Sequence, residues 1–390
     1  MAVVIKIPDP SWGSNLANII LDLEKQRGRV LIGEIPIHIF KQLKYIFQML
    51  ETLGSARIEG NNTTLAEYVE KIIEKKLNKE EGQIEIENIE EAIKFIENNT
   101  KFDTQINRIY ISELHKIITK NLTPPPNGEG SNNPGNLRSN NITIGKSNHI
   151  PPDYTVLQDY FDEFINFINK DHSEQYQLLM ISVANHRFAF IHPFDNGNGR
   201  MGRLLNYAFL IKLGFLNQNL RIINPSCVFY SDRDKYYSML GKTDSLSDRD
   251  ILDWCEYFLL GLKNEIEKID SLLNKKYVKE KILIPAIIFA KDRENITKSE
   301  YDILKYIISK DDMQMKSEEL SELSDLGAKT SLQKSRLIVN LKNKNIIHSI
   351  TKGGRIYTIS FVNNYLLRGV IEVLKNEGFV SDFLNNNIRS

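Results

Sequence analysis

Between Ile191 and Arg203 the chain reads His192-Pro193-Phe194-Asp195-Asn196-Gly197-Asn198-Gly199-Arg200-Met201-Gly202-Arg203. These residue types at this spacing suit one kind of chemistry. Gly197 and Gly199 stand just ahead of a strong helical pattern, where a backbone without Cβ can approach a ligand closely. The unpaired N–H groups of a helix start, with the helix dipole, favour an anion there. Arg200 and Arg203 share a helix face at that same end, and two guanidiniums beside a glycine-rich helix start suit a polyphosphate. His192, just before this cradle, has the side chain that takes a proton from a hydroxyl at neutral pH. Gly-x-Gly before a helix is common and a lone histidine is more often structural; the joint occurrence in one short segment carries the reading. No Gly-Lys-Ser/Thr follows, so this is not a Walker A loop.

Helices must position the segment. Glu174 to Ile191 is helical by period, a polar interruption spans His192 to Gly199, and helix resumes through Leu204, Leu205, Ala208, Phe209 and Leu213. Upstream, Ile39, Leu43, Ile46, Phe47, Leu50 and Leu53 mark one helix face from Pro36 on. A second helix is expected from Thr64 to Lys76, where Thr64 and Glu67 have the form of a capping box. A third is expected from Asn88, as its N-cap, to Glu97. Tyr110 to Ile118 looks like another helix end, Tyr154 to Ile168 is helical by period, and helical patterns continue to Leu272. The run from Pro124-Pro125-Pro126 to Pro134-Gly135 must be an irregular loop, and Ile142-Thr143-Ile144-Gly145 reads as a small hairpin. After Tyr277 come helical segments at Ser299 to Ser309, Ser317 to Leu323 and Thr330 to Lys342. Ile346 to Phe361 then alternates around Gly353-Gly354, completing the order of a winged helix-turn-helix. The expected protein is mainly α, with an N-terminal helical region (1–100), a helical core with a small β-hairpin (101–276) and a C-terminal winged helix-turn-helix domain (277–390).

The His192 to Arg203 segment resembles the motif of the Fic family, His-Pro-Phe-x-Asp/Glu-Gly-Asn-Gly-Arg-x-x-Arg, and every specified position agrees except Asn196. The resemblance implies a helical Fic core over residues 100–265, ATP as substrate with Mg2+, and transfer of AMP to a Ser, Thr or Tyr hydroxyl of a target protein. Carried over by position, His192 is the general base on that hydroxyl. Gly197, Asn198, Gly199 and Arg200 form the phosphate-binding loop, continued by Met201 and Gly202, and Arg203 holds the terminal phosphate. The family's acidic metal ligand falls on Asn196, whose amide oxygen can ligate Mg2+ without the charge that favours a hard cation. The stretch from Gly135 to Lys146, followed by Ile150-Pro151-Pro152, is similar to the family's flap, which registers the target by strand pairing. Ile144 and Gly145 would border the nucleotide there. Tyr236-Tyr237 and Asp253-Trp254 resemble the helices that close the adenine pocket, with Tyr237 at the nucleotide; aromatic core packing is the competing reading. Ser55-Ala56-Arg57-Ile58-Glu59-Gly60 resembles the family's inhibitory motif. Glu59 is expected to hold the enzyme off by pairing with Arg203, with Ser55 fixing its helix against the loop. Related folds transfer phosphate or remove AMP; Gly199 favours AMP transfer, because the phosphate-transfer branch usually has lysine there.

Composition narrows the remaining possibilities. Apolar residues make up 41% and charged residues 26%, so the chain reads as soluble and globular. With 50 basic and 50 acidic residues, net charge gives no argument for nucleic acid or membrane. Locally, Lys329, Lys334, Arg336, Lys342, Lys344, Lys352 and Arg355 occur without an acid between Leu326 and Tyr357, a footprint for DNA. The alternative is a module that docks protein, including a second copy of the chain as a homodimer. A DNA-binding regulator with a vestigial core is the rival function, and Asn196 is the feature in its favour. Cys227 and Cys255 build no disulfide framework. No basic-then-apolar leader and no long apolar run stand out, so a cytoplasmic protein without membrane contact is expected. His115 and His186 are expected to make structural hydrogen bonds, whereas His38, His149, His172 and His348 have no constellation around them.

Overall fold

The computed structural model describes residues 4–28, 35–74, 80–145, 147–215, 222–321, 323, 330–351 and 353–385. Along the chain run α1 (Asn15–Gly28), α2 (Ile37–Ile58), α3 (Leu65–Glu74), α4 (Glu81–Asn99), α5 (Arg108–Thr119), α6 (Leu157–Asn169), α7 (Glu174–Ile191), α8 (Asn198–Lys212), α9 (Cys227–Tyr230), α10 (Arg233–Thr243) and α11 (Asp248–Asp270). Next, α12 (Lys275–Tyr277) continues through a π-helical stretch (Val278–Leu283) into α13 (Ile284–Asp292). The chain then forms α14 (Lys298–Ser309), β1 (Gln314–Lys316), α15 (Ser331–Asn343), β2 (Ile347–Ser349), β3 (Ile356–Ile359) and α16 (Leu366–Asn376). No described helix is long and apolar enough to cross a membrane.

The hub is the α7–α8 pair. Leu178 to Phe188 are buried without a break, as are Arg200 to Leu210. Helices buried on every side need neighbours all round: α6 and α11 cover α7, and α2, α4 and α5 cover α8. One apolar cluster runs from Ile5 to Leu384, so the N-terminal helices share their core with the rest.

Several expectations are corrected. α1 precedes the first expected helix; Leu16, Ile19, Ile20 and Leu23 recur at three and four residues and face α11. α4 begins at Glu81, so Asn88 is not a cap. It lies inside the helix, and its buried amide donates to Lys120 O at 2.7 Å, closing the end of α5 against α4. The Thr64–Glu67 capping box forms, with Thr64 N donating to Glu67 Oε2 at 2.7 Å and Glu67 N to Thr64 Oγ1 at 3.2 Å; Lys76 lies outside the described residues. The hairpin expected at Ile142–Gly145 has no strand among the described residues, and Lys146 lies outside them. Pro151 and Pro152 on the returning arm have no N–H to donate to a ladder. Arg138 holds the segment instead, donating to His192 O (2.9 Å), Asn140 O (3.0 Å) and Pro152 O.

In the C-terminal part the strands form an antiparallel sheet in the order β1-β3-β2, and Ser317–Ser321 is a 3-10 turn rather than a full helix. Gln42 of α2 joins this sheet to the core: its amide donates to Ile359 O (3.0 Å) and accepts from Phe361 N (2.8 Å).

Candidate active site

α7 stops because Pro193 cannot continue it. His192 takes the left-handed conformation (φ 50°, ψ 61°), while its own N–H still reaches Phe188 O at 3.0 Å. That conformation costs a non-glycine residue roughly 1–2 kcal/mol, and Arg138 on His192 O helps to hold it. Four contacts then fix the loop. Phe194 is buried against Phe161 and Phe188 and stacks on His115 (3.8 Å between centroids, 8° between planes). The Asn198 amide bonds both sides of Phe194, at 2.9 Å each. Asp195 accepts from Ser131 Oγ (2.6 Å) and Asn132 N (2.8 Å). His115 Nδ1 accepts from Gly135 N (2.8 Å), so its Nε2–H donates to Asn196 O (3.0 Å).

The His192 ring is oriented by its own helix. Ala189 O can only accept, so Nδ1 carries the proton at 3.2 Å and the lone pair is left on Nε2. Burial pushes the imidazole down to about 4, against the opposing pull of Ala189 O and Glu59. The ring is therefore neutral at physiological pH and able to accept a proton.

Gly197, at φ 75°, turns the chain into α8, and Arg200 and Arg203 project from its first turns fully buried. Burying two guanidiniums is costly without partners, and the partners here are carboxylates brought from three other elements. Arg203 donates to Ser55 Oγ (2.9 Å), Ser55 O (2.9 Å) and Glu59 Oε1 (2.7 Å), so it meets both the carboxylate and a carbonyl of the last turn of α2. Arg200 lies 3.0 Å from the buried Glu85 of α4 and 3.1 Å from Glu129 of the loop before the flap. Arg200 Nε and Arg203 Nη1 are buried with no hydrogen-bond partner among the described residues.

Glu59 is the first residue beyond α2, and its carboxylate lies on the backbone of Gly199: a Cβ there would sit 2.0 Å from Glu59 Oε1. The space an anion would fill at the head of α8 is occupied by Glu59. Burial disfavours the charged carboxyl, but Arg203, then Arg200, hold it below its ordinary value. Glu85, by contrast, is pushed up to about 7 by burial, Arg200 notwithstanding.

Asn196 turns its Oδ1 to Gly197 N (2.7 Å) and its Nδ2 to Gly128 O (3.2 Å). Tyr237 is half-exposed beside Glu59, with its hydroxyl 3.4 Å from Ile58 O. Trp254 is fully buried, donating to Ser182 O at 2.8 Å, and belongs to the core. Ile144 and Gly145 lie on the flap at a turn closed by Ser147 N to Ile144 O (2.8 Å). His149 proves to have a constellation: its Nε2–H donates to Phe190 O (2.8 Å), and its ring lies 3.5 Å from Asp244, which also bonds the buried His186 at 3.1 Å. The flap, α7 and the end of α10 are thereby pinned together. Single polar residues far apart in sequence give no periodic signal, so neither this triad nor Glu85 and Glu129 was legible beforehand.

Residues 105–210 match the model of the Fic/DOC family, a segment that takes in His115, the flap and the whole loop from His192 to Arg203. Among curated relatives, the protein adenylyltransferase Fic of Drosophila ananassae is 28% identical over 205 residues, 51% of this chain and 37% of that protein. The one from Drosophila melanogaster is 29% identical over 191 residues, 48% and 35% respectively. The chain thus spans little more than a third of the length of these relatives. A Fic family protein from Desulfovibrio desulfuricans shares the fold over 90% of this chain and 98% of its own, with a TM-score of 0.54 at 18% identity. A Fic domain containing signaling protein from Bacteroides thetaiotaomicron does so over 67% and 95%, with a TM-score of 0.50 at 15% identity.

Proposed function

We propose that the protein transfers AMP from ATP to a Ser, Thr or Tyr hydroxyl of a protein, itself included, and that the form described here is the inhibited one. The observation that carries this reading is the anion site at the head of α8: two buried arginines with unpartnered donors around a glycine backbone, next to a neutral histidine. With Glu59 withdrawn, Arg203 and the N–H groups of α8 are free to hold the phosphates. The acceptor oxygen then attacks the α-phosphorus, the α–β phosphoanhydride bond breaks, pyrophosphate leaves, and His192 Nε2 takes the hydroxyl proton. Asn196 Oδ1, which accepts from Gly197 N here, is a hard oxygen of the kind that would fit Mg2+, an ion usually held by one or two protein carboxylates plus phosphates. When bound it would offset charge on the leaving pyrophosphate. Among the described residues no three His, Cys, Asp or Glu side chains form a metal cage of their own. The test is incubation with ATP labelled on the α- or the γ-phosphate: α-label on protein and none from γ is expected, whereas γ-label would mean phosphate transfer.

A second reading concerns the C-terminal part, for which we propose a winged helix-turn-helix that contacts duplex DNA. It is supported by α15, which exposes Arg336, Asn340 and Asn343 at i, i+4 and i+7 with Lys342 and Arg355 exposed nearby. Lys329 and Lys352 lie outside the described residues. Fluorescence anisotropy with a mixed-sequence duplex is expected to show binding by the full chain at low salt that weakens as salt rises. No binding at low salt would leave protein docking, including a homodimer, as the role of this part.

A further inference from the structure

Glu129 is presented to the site by a turn built around it. Gly130 N closes the turn on Thr123 O at 2.7 Å, and Glu81 Oε1 accepts from Thr123 N at 2.7 Å. The glycines on either side admit no side chain: a Cβ on Gly128 would lie 2.5 Å from Thr123 O, and one on Gly130 would lie 2.3 Å from Leu122 O. The turn is also tied to the loop by Asn196 Nδ2 on Gly128 O and by Arg200 Nη2 on Glu129 O (2.7 Å). Its carboxylate ends 3.1 Å from Arg200 and accepts from the Asn196 amide.

This placement creates a charge problem as soon as a polyphosphate enters. Glu129 and a phosphate would share the Arg200 guanidinium, and two anions on one cation repel unless a further cation lies between them. Asn196 brings no charge, and Asp195, the nearest acid in sequence, has both oxygens committed to Ser131 and Asn132. Glu85 is buried and held by Asn61 at 2.7 Å, whereas Glu129 is half-exposed and can turn. Building on the nucleotide reading above, we infer that Glu129 supplies the acidic oxygen ligand of the nucleotide's divalent cation, beside the neutral Asn196. On this assignment the negative charge comes from the turn that contacts the loop, and asparagine at 196 donates to that turn where a second carboxylate would repel it.

The assignment is tested on the full chain carrying Glu59→Gly, with Mn2+ as the probe, followed by its electron paramagnetic resonance signal in the presence of α,β-methylene-ATP. Nucleotide affinity is measured separately in EDTA, and thermal melting checks that each variant is folded. Adding Glu129→Gln is expected to weaken Mn2+ binding by at least about tenfold, the loss typical of even outer-shell partners of a metal, with no fall in affinity for metal-free nucleotide. Adding Asn196→Asp to that variant is expected to restore most of the loss, because it returns one negative charge to the same place. Unchanged Mn2+ affinity after Glu129→Gln overturns the assignment and leaves Glu129 as a competitor for Arg200, which tighter nucleotide binding in EDTA would mark. A Glu59→Gly chain that binds no nucleotide in any form overturns the nucleotide reading, and this one with it.

Discussion

His192→Ala is expected to abolish AMP transfer while nucleotide binding survives. The reason lies in the division of labour around the α7–α8 loop. On the proposed reading the phosphates would meet α8 and its backbone N–H donors, whereas His192 is on the other side of the turn with its ring set by Ala189 O. Removing a general base typically costs about 10²–10⁴-fold in rate. Because His192 has positive φ, alanine there adds backbone strain. His192→Asn, a residue that tolerates the left-handed region, separates that strain from loss of the base. Placed in the Glu59→Gly chain, where the anion space is open, both variants should bind nucleotide in a calorimetric titration and both should fail to transfer; near-normal transfer by either removes His192 from the reaction. The pH profile adds a second check. An imidazole pushed down to about 4 stays neutral far below the usual histidine range. Its fraction in the base form is lost only as pH falls through about 4, so the acid limb of kcat/KM, which reports the free enzyme, should lie well below 6.5.

What the sequence disclosed follows from how each feature is encoded. The helix α2 was legible because apolar residues recur every three to four positions, as from Ile39 to Leu53. The loop was legible because glycines, arginines and a histidine are contiguous in it, so the chain alone brings them together. The groups that complete the site are not contiguous. Glu85 reaches Arg200 from the second turn of α4, and Glu129 from a proline- and glycine-rich turn whose only visible signal was irregularity. The flap was misread because alternation at Ile142–Gly145 suggested pairing, while Pro151 and Pro152 remove the donors a ladder requires. Asn88 was misread because an asparagine before apolar residues looks like a cap, yet a buried amide can equally bond the end of a neighbouring helix, as it does at Lys120.

Glu59→Gly is expected to raise AMP incorporation, including incorporation into the protein itself. The argument starts from Arg203, a fully buried guanidinium bonded to Glu59 Oε1 at 2.7 Å and to two oxygens of Ser55. While that pair stands, the terminal phosphate of ATP would have no partner there and would meet a like charge. The obstruction is steric as well, because Glu59 lies on the Gly199 backbone where phosphate oxygens would approach. ATP bound around the obstacle would be displaced, and about 1 Å of misplacement can cost on the order of 10²-fold in rate; a gain of that size is expected on removing the carboxylate. Some stability should be lost, because a buried guanidinium gives up its carboxylate partner, although Arg203 keeps both Ser55 contacts. Glu59→Gln separates charge from bulk: it keeps the shape and removes the charge, so a gain smaller than that of glycine would apportion the inhibition between repulsion and obstruction. Arg203→Ala should not reproduce the gain, because it takes away the phosphate contact together with the lock. The deciding measurement is the rate of α-labelled AMP incorporation by Glu59→Gly beside the unsubstituted chain at equal folded concentration. Equal rates would mean that Glu59 is a structural partner of Arg203 and nothing more.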